Sequence, residues 1–420
     1  MSPPDNVFGP PGYMGQKLDT GPVGQHNRNQ AKSRSCSSRK DSFYLTSKVV
    51  YARCLSPGKI METPLVSVVL PTYNRAYCIE RAVNSALDQT HHNVEILLID
   101  DGSTDGTGEL VAERYRNEPR LRYIHQPNSG VSVARNTALR ELRGDFVAFL
   151  DSDDVWKSWK LELQLACLKQ VPHAGMIWTE MEAIDSKGNL LHELYLREYY
   201  SAYKWFSNEQ LFTEEYPLPE ITALPREQTA RLYVGNLFSP MIMGNLVHTP
   251  TTMVRRDRVE KVGFFNERLR RSGGDFDFHL RTCRVGPVAF VNAATIQYRI
   301  GDADQLTSPQ NSIHSARNFL ATIRPLIDME RDNITLPPYM IDAVLAEAHQ
   351  WLGEAHLKLG ELAEARGQLA FSLRQQAWQP RTWSLLFAAW LPPRQAASLR
   401  SFYRTVREQA GLGGTRKNGR

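Results

Sequence analysis

Leu65-Val-Ser-Val-Val-Leu-Pro-Thr-Tyr-Asn-Arg75, Val94-Glu-Ile-Leu-Leu-Ile-Asp-Asp-Gly-Ser-Thr-Asp105 and Phe146-Val-Ala-Phe-Leu-Asp-Ser-Asp-Asp154 decide the fold. Each is a short, nearly unbroken apolar run that ends abruptly in polar residues, the pattern of a strand buried on both faces. Between them lie helical patterns: Ile79, Ala82, Val83, Ala86 and Leu87, then Leu110-Val111, then Ser132 to Leu142. A fourth apolar run, Leu121-Arg-Tyr-Ile124, falls between the last two helices. Buried strands alternating with helices predict an α/β fold built on a mostly parallel sheet flanked by helices. In such sheets ligands sit outside the carboxyl ends of the strands. All three polar clusters fall at such ends.

Outward from this core the chain changes character. Residues 1–60 are rich in Gly, Pro and Ser and carry nine Lys/Arg against three Asp/Glu, so they hold more than the whole net charge of +5. That composition cannot offset its ordering entropy. A disordered leader is expected, and Met61, just before the first strand, is expected to be the true start. The other 360 residues sum to about −1, whereas a nucleic-acid binder carries its positive field on the folded part. With 42 % apolar residues the chain of 420 can build a sizeable core. No apolar run reaches the roughly 18 residues that span a bilayer. A cytoplasmic location follows as the expectation. The five cysteines (Cys36, Cys54, Cys78, Cys167, Cys283) are scattered and never form a Cys-x-x-Cys pair, which argues for inert thiols.

Residues 190–245 are rich in Tyr, Phe, Glu and Pro without a clean period and read as an insertion or lid. Periodicity resumes as a strand over Thr251 to Arg255 and a helix over Phe276 to Cys283. From about Ser312 the chain reads as helical, with apolar stripes through Ile341, Val344, Leu345, Ala348, Leu352 and Ala355, then Leu362, Ala365, Leu369 and Leu373. One helical pair of this kind loosely resembles a tetratricopeptide repeat. A single repeat buries no solenoid core, so packing onto the α/β part is expected.

The polar clusters carry the chemistry. Asp151 and Asp153, delivered by a buried strand, suit Mg²⁺ or Mn²⁺ bridging a diphosphate; the same pair would also serve as a helix cap. Asp100-Asp101 offer carboxylates to a base or ribose, while Ser103 or Thr104 is equally read as the N-cap of the helix near Thr107. Pro71-Thr72-Tyr73-Asn74-Arg75 combines a fixed bend, an aromatic face and polar groups suited to a planar base. Arg135 is a cation within reach of a nucleotide or diphosphate. His248, beside Thr249-Pro-Thr-Thr252, reads as a packed loop histidine.

Taken together, Ser67 to Arg75, Asp100 to Asp105, Gly130-Val-Ser-Val-Ala-Arg-Asn136 and Phe149 to Asp154 resemble the motifs of family-2 inverting glycosyltransferases of GT-A fold, over roughly residues 64–305. The resemblance implies that Thr72 to Arg75 and Asp100-Asp101 hold the nucleotide. It implies that Asp151 contacts ribose and metal, that Ser103 and Ser152 belong to the nucleotide-sugar site and that Asp153 ligates the divalent cation. Gly273-Gly-Asp-Phe-Asp-Phe-His-Leu-Arg281 is similar to the family's Glu-Asp motif, which makes Asp275 the general base and puts Gly274 and Asp277 on the acceptor side. There are two departures: Gly274 stands where the family usually has Glu, and Gly301 where His is common, so no histidine metal ligand is carried over.

The organisation implied is a leader over 1–60, a GT-A domain over 64–305 and a helical region over 312–410, with a basic flexible tail over 411–420. Within the GT-A domain, residues 64–155 form the nucleotide-binding half and 156–305 the acceptor half. The function implied is metal-dependent, inverting transfer from a nucleotide-diphosphate sugar, UDP by resemblance, to a saccharide or lipid-linked saccharide. A sugar nucleotidyltransferase would need a Gly-rich loop with Arg and Lys after the first strand, which Pro-Thr-Tyr-Asn-Arg is not. The alternative from another class is a non-catalytic scaffold whose helical tail recruits partners. Trp378, Trp383, Phe387 and Trp390 near Arg394, Arg400, Arg404 and Arg407 allow peripheral contact with the inner membrane face; core packing of the aromatics is the other reading. Mass spectrometry of native protein is expected to find no peptide from residues 1–60, and such peptides would refute the Met61 start.

Overall fold

The computed structural model describes residues 63–221, 230–269, 271–300 and 312–391. The chain separates into two compact units, 1–60 and 61–420, and only the second is described. The expectations for the leader, for Gly301 and for the tail lie outside the described residues.

Strands β1 (Val66–Thr72) and β2 (Val94–Asp100) are buried at every position. Successive Val, Ile and Leu leave them no solvated face, so they need cover on both sides. They pair in parallel with Thr72 opposite Asp100, which brings their polar ends out side by side. β3 (Leu121–His125) joins β2 and β4 (Phe146–Phe149) joins β1, both in parallel. Helices α1 (Ile79–Leu87), α2 (Thr107–Arg114) and α3 (Val131–Glu141) make the crossovers such pairing requires.

Beyond β4 come β5 (Val155–Trp156), α4 (Lys160–Gln170), β6 (Met176–Ile184) and the short β7 (Leu190–His192). The aperiodic stretch then forms α5 (Leu196–Tyr199), α6 (Asn208–Leu211), β8 (Glu214–Pro217), β9 (Arg231–Gly235) and α7 (Phe238–Ile242). It therefore extends the sheet as well as looping over it, because β9 pairs with the last strand and β8 with β9. β10 (Met253–Arg255), α8 (Arg256–Val262), α9 (Gly274–Arg284) and β11 (Val288–Arg299) complete the α/β part. The expected strand from Thr251 begins two residues later, since Thr249–Thr251 closes into a 3-10 turn around Pro250. Among the described residues the sheet has eleven strands: nine run β3-β2-β1-β4-β10-β6-β11-β9-β8, while β5 pairs with β11 and β7 with β6 off this path. β10 lies antiparallel between β4 and β6, and β11 runs parallel to β6.

An aromatic cluster couples the two ends of the molecule's chemistry. Phe149, two residues before Asp151, meets Phe265 and Phe278 edge-on at 5.6 and 5.9 Å, and the latter two stack at 4.2 Å. Phe278 lies one turn after Asp275 on α9, so this contact fixes that helix against the end of β4. Each such buried ring contributes roughly 1.5–3 kcal/mol by burial alone.

The helices that follow are α10 (Ser312–Met329), α11 (Pro338–Leu359), α12 (Leu362–Gln375) and α13 (Pro380–Trp390). α10 packs on the α/β part through Phe319 against Phe276 (5.2 Å) and Asn318 Nδ2 donating to the Ser272 carbonyl (2.7 Å). α11 and α12 form a hairpin around Gly360, whose φ of 80° suits glycine. Cys78, Cys167 and Cys283 are free and buried, and burial pushes their thiols up to about 11, 12 and 12. No helix among the described residues is long and apolar enough to cross a membrane.

Gly144 marks the tightest approach at the start of β4. A Cβ there would sit 2.6 Å from the Ser67 amide nitrogen and 2.8 Å from the Leu65 carbonyl oxygen. Gly144→Ala is therefore expected to destabilise by about 2 kcal/mol, the usual scale of overpacking; an unchanged urea midpoint would contradict this contact.

Candidate active site

Two loops at the carboxyl end of the sheet are stapled together. Asn74, at a left-handed φ of 52°, donates its amide to Ser103 Oγ (2.9 Å) and accepts from the Thr104 amide (2.8 Å). The Arg75 amide donates to Thr107 Oγ1 (3.0 Å) and the Ala76 amide to Asp105 Oδ2 (3.0 Å). Asp105 also accepts from the Thr107 amide at 3.1 Å. Although burial pushes the Asp105 carboxyl up, hydrogen bonds from Thr107 and Ala76 outweigh it and hold the group below the usual range. Asp105, not Ser103 or Thr104, thus satisfies the start of α2, because Ser103 is turned to the Asn74 amide.

Asp100 and Asp101 are both buried. Asp100 accepts from the Ser103 amide (2.8 Å) and the Tyr123 hydroxyl (2.6 Å). Asp101 accepts from Gln126 Nε2 (2.7 Å) and the amides of Ser129 (2.9 Å) and Gly130 (2.7 Å), so it holds the entry to α3. Pro71 lies within β1 opposite Ile99. The Thr72 side chain is buried with its Oγ1 unpartnered, while the Tyr73 ring is 46 % exposed. A buried hydroxyl beside an exposed aromatic face, at the mouth of a parallel sheet, is a fitting cradle for a planar polar ligand.

The end of β4 supplies the acidic group. Arg135, buried on α3, donates to Asp151 Oδ1 at 2.7 Å and stacks over Phe265 at 5.4 Å. Its Nε has no partner. Asp153 lies 3.9 Å from Arg75 Nη2, and the Ser152 carbonyl accepts from Cys78 Sγ at 3.4 Å. Asp154 points inward instead. Burial first, then the charges of Asp153 and Asp151, push its carboxyl well above the usual range.

Asp275 stands in the first turn of α9, half-buried. Asp277 is bound within its own helix to Arg281, whose Nη2 and Nε reach it at 2.7 and 2.9 Å. Arg281 in turn donates to the Val262 and Phe264 carbonyls, so Asp277 pins α9 in place. A Cβ on Gly274 would lie 2.4 Å from Ser132 Oγ, so α9 starts close against the first turn of α3.

Residues 67–215 match the family model described as glycosyl transferase family 2. They are a glycosyl transferase family 2 domain. Over 150 residues the chain is 40 % identical to the chondroitin synthase of Escherichia coli, a stretch covering 36 % of this chain and 22 % of that protein. Over 103 residues it is 48 % identical to TuaG of Bacillus subtilis, a putative teichuronic acid biosynthesis glycosyltransferase, covering 24 % and 41 %. The chain thus spans less than half the length of these two relatives. Among solved structures, S. aureus TarS 1–349 in complex with UDP-GlcNAc aligns over 84 % of this chain and 93 % of that one, with TM-score 0.48 and 22 % identity.

Beyond the matched residues, His248 packs with two tyrosines that the sequence reading did not single out. His248 is buried and packed, as read, with Tyr298 edge-on at 4.9 Å and the Tyr200 hydroxyl 3.1 Å from its Nδ1. Its Nε2 has no hydrogen-bond partner and stands 3.9 Å from Asp154 Oδ2. Burial drives its pKa down to about 4, against the opposing pull of Asp151 and then Asp275. Tyr200 feels Asp275 as well, after burial and Tyr199. No period marks Tyr199 and Tyr200 in the sequence, and only the fold brings them to Tyr298.

His279, on the next turn of α9 from Asp275, bonds Thr249 Oγ1 through Nε2 at 3.1 Å. Burial lowers its pKa to about 3. In the unfolded chain both histidines titrate near 6.5. Between that value and 4 the unfolded state binds more protons, so stability falls as the pH drops through this window. The urea midpoint is expected to be lower at pH 5 than at pH 7, with a smaller drop in His279→Gln; an equal drop in the variant would refute the assignment.

Proposed function

We propose that the chain is an inverting, metal-dependent glycosyltransferase that moves a sugar from a nucleotide-diphosphate donor, UDP by the family resemblance, to a saccharide or lipid-linked saccharide hydroxyl. The observation that carries this reading is the stapling of the β1 and β2 loops beside the acidic end of β4, where Arg135 holds Asp151 at 2.7 Å and Phe149 meets Phe278, one turn along α9 from Asp275. The two relatives named above, a chondroitin synthase and a teichuronic acid biosynthesis enzyme, support a polysaccharide product.

On this reading the exposed Tyr73 ring and the buried Thr72 hydroxyl take the base, between the two stapled loops. Asp100 and Asp101 hold the loops that frame base and ribose. Asp151 and Asp153 would hold Mg²⁺ or Mn²⁺, which supplies positive charge for the departing diphosphate. Among the described residues no cluster of three or more His, Cys, Asp or Glu could hold a metal alone, so on this reading the cation would arrive with its ligand. Two carboxylates, with phosphate and water completing the shell, are the usual hard-oxygen arrangement for magnesium. Arg135 neutralises Asp151 and holds its orientation.

Asp275 takes the proton of the acceptor hydroxyl as that oxygen bonds to the anomeric carbon. The bond from the anomeric carbon to the diphosphate oxygen breaks on the opposite face, which inverts the configuration. No hydrogen bond among the described residues occupies the Asp275 carboxylate, and a base needs such freedom. Asp277 would act on the acceptor side only through α9, since Arg281 binds it.

Two substitutions separate the roles. Asp275→Asn is expected to leave nucleotide binding within about twofold and to lower transfer by at least about a hundredfold, the scale of general-base catalysis. Asp153→Ala is expected to abolish metal-dependent nucleotide binding. The reverse pattern would overturn the assignment. A variant series with no turnover and no nucleotide binding even in the parent would favour a scaffold role for the helical region.

A further inference from the structure

The outermost helix carries an aromatic stripe that the α/β domain does not use. On α13, Trp383, Phe387 and Trp390 recur at i, i+4 and i+7 and are 54, 62 and 69 % exposed, while Thr382 and Ala389 on the opposite side are buried. Trp378, just before the helix, is 84 % exposed. Among the described residues, the last helix thus turns its small Thr382 and Ala389 toward the protein and its largest rings away. The Arg366 guanidinium stacks on Trp390 at 4.5 Å and donates to the Ala389 carbonyl, which sets a cation at the edge of the stripe. The chain that follows, residues 392–420, carries seven Arg/Lys against one Glu.

We infer that the outer face of α13, carrying Trp383, Phe387 and Trp390, is a docking surface for an anionic lipid interface. The composition decides between occupants. Trp at both ends of a short stripe, with arginine beside it and a basic segment after it, combines the amphipathic ring preferred at the headgroup level with attraction to anionic lipid. A second copy of this chain fits less well. Four partly exposed aromatics offer on the order of 500 Å², below the roughly 800 Å² per partner of a standard stable interface. The surface stands apart from the donor-binding residues, so this inference holds or fails separately from the glycosyltransferase reading.

The test uses the full chain with sedimented vesicles of phosphatidylcholine alone and of phosphatidylcholine with phosphatidylglycerol, alongside light scattering for molecular mass. Binding is expected to favour the anionic vesicles by about tenfold or more and to weaken with salt. The triple variant Trp383→Ala/Phe387→Ala/Trp390→Ala is expected to lose at least about tenfold of that binding. Tyr339→Ala, removing another exposed aromatic on α11, should bind as the parent does. Phe387→Glu, a single exposed change, should bind anionic vesicles more weakly with an unaltered urea midpoint, and it stands in should the triple variant not fold. Equal binding by parent and Phe387→Glu, or no anionic preference in the parent, would overturn the inference. A parent dimer that the stripe variants convert to monomer would assign the surface to a second copy.

Discussion

The buried guanidinium of Arg135 is the contact on which the site's geometry rests. It reaches Asp151 at 2.7 Å while stacking over Phe265, and Phe265 stacks on Phe278 one turn along α9 from Asp275. One side chain from α3 thereby ties the end of β4 to the aromatic cluster beneath α9. Its Nε is left without a partner in a buried setting, which costs roughly 1–3 kcal/mol if nothing polar arrives. The ion pair itself is half in water, with Asp151 31 % exposed, so its worth lies in orientation more than in net stability.

The acidic residues divide into two groups by what already binds them. Asp100, Asp101, Asp105 and Asp277 have their carboxylates taken up by backbone amides, Tyr123, Gln126, Thr107 or Arg281. They shape the loops and pin the helix. At the end of β4 Asp151 is paired with Arg135 and Asp153 stands 3.9 Å from Arg75, while Asp275 is half-buried in the first turn of α9. The bound carboxylates thus stiffen the loops that flank the end of β4. His248 sits at the junction as a neutral ring, since burial outweighs the attraction of two carboxylates.

Much of the fold was legible because β1, β2 and β4 are unbroken apolar runs and the crossover helices keep a 3.6 period. β8 and β9 were not, since strands of four and five residues that alternate buried and exposed are too short to separate from loop. The N-cap of α2 was misplaced: it is Gly106, at a left-handed φ of 89° with no capping side chain, and Asp105 before it takes the Thr107 amide. The Asp277–Arg281 spacing of four was visible in the sequence, yet the motif resemblance drew attention to the acceptor instead. Tyr200, Tyr298 and His248 meet only through long-range packing, for which the local sequence has no signal. The aromatics of α13 were readable as core or as interface; Trp383, Phe387 and Trp390 face outward.

The central claim is that Asp151, Asp153 and the stapled loops form a cradle for a nucleotide diphosphate and its cation. Calorimetric titration of the full chain with UDP, with and without Mn²⁺, addresses it directly. Saturable binding that requires Mn²⁺ is the predicted result. Absence of binding in both conditions, together with absence of binding to other nucleotide diphosphates, would contradict the account.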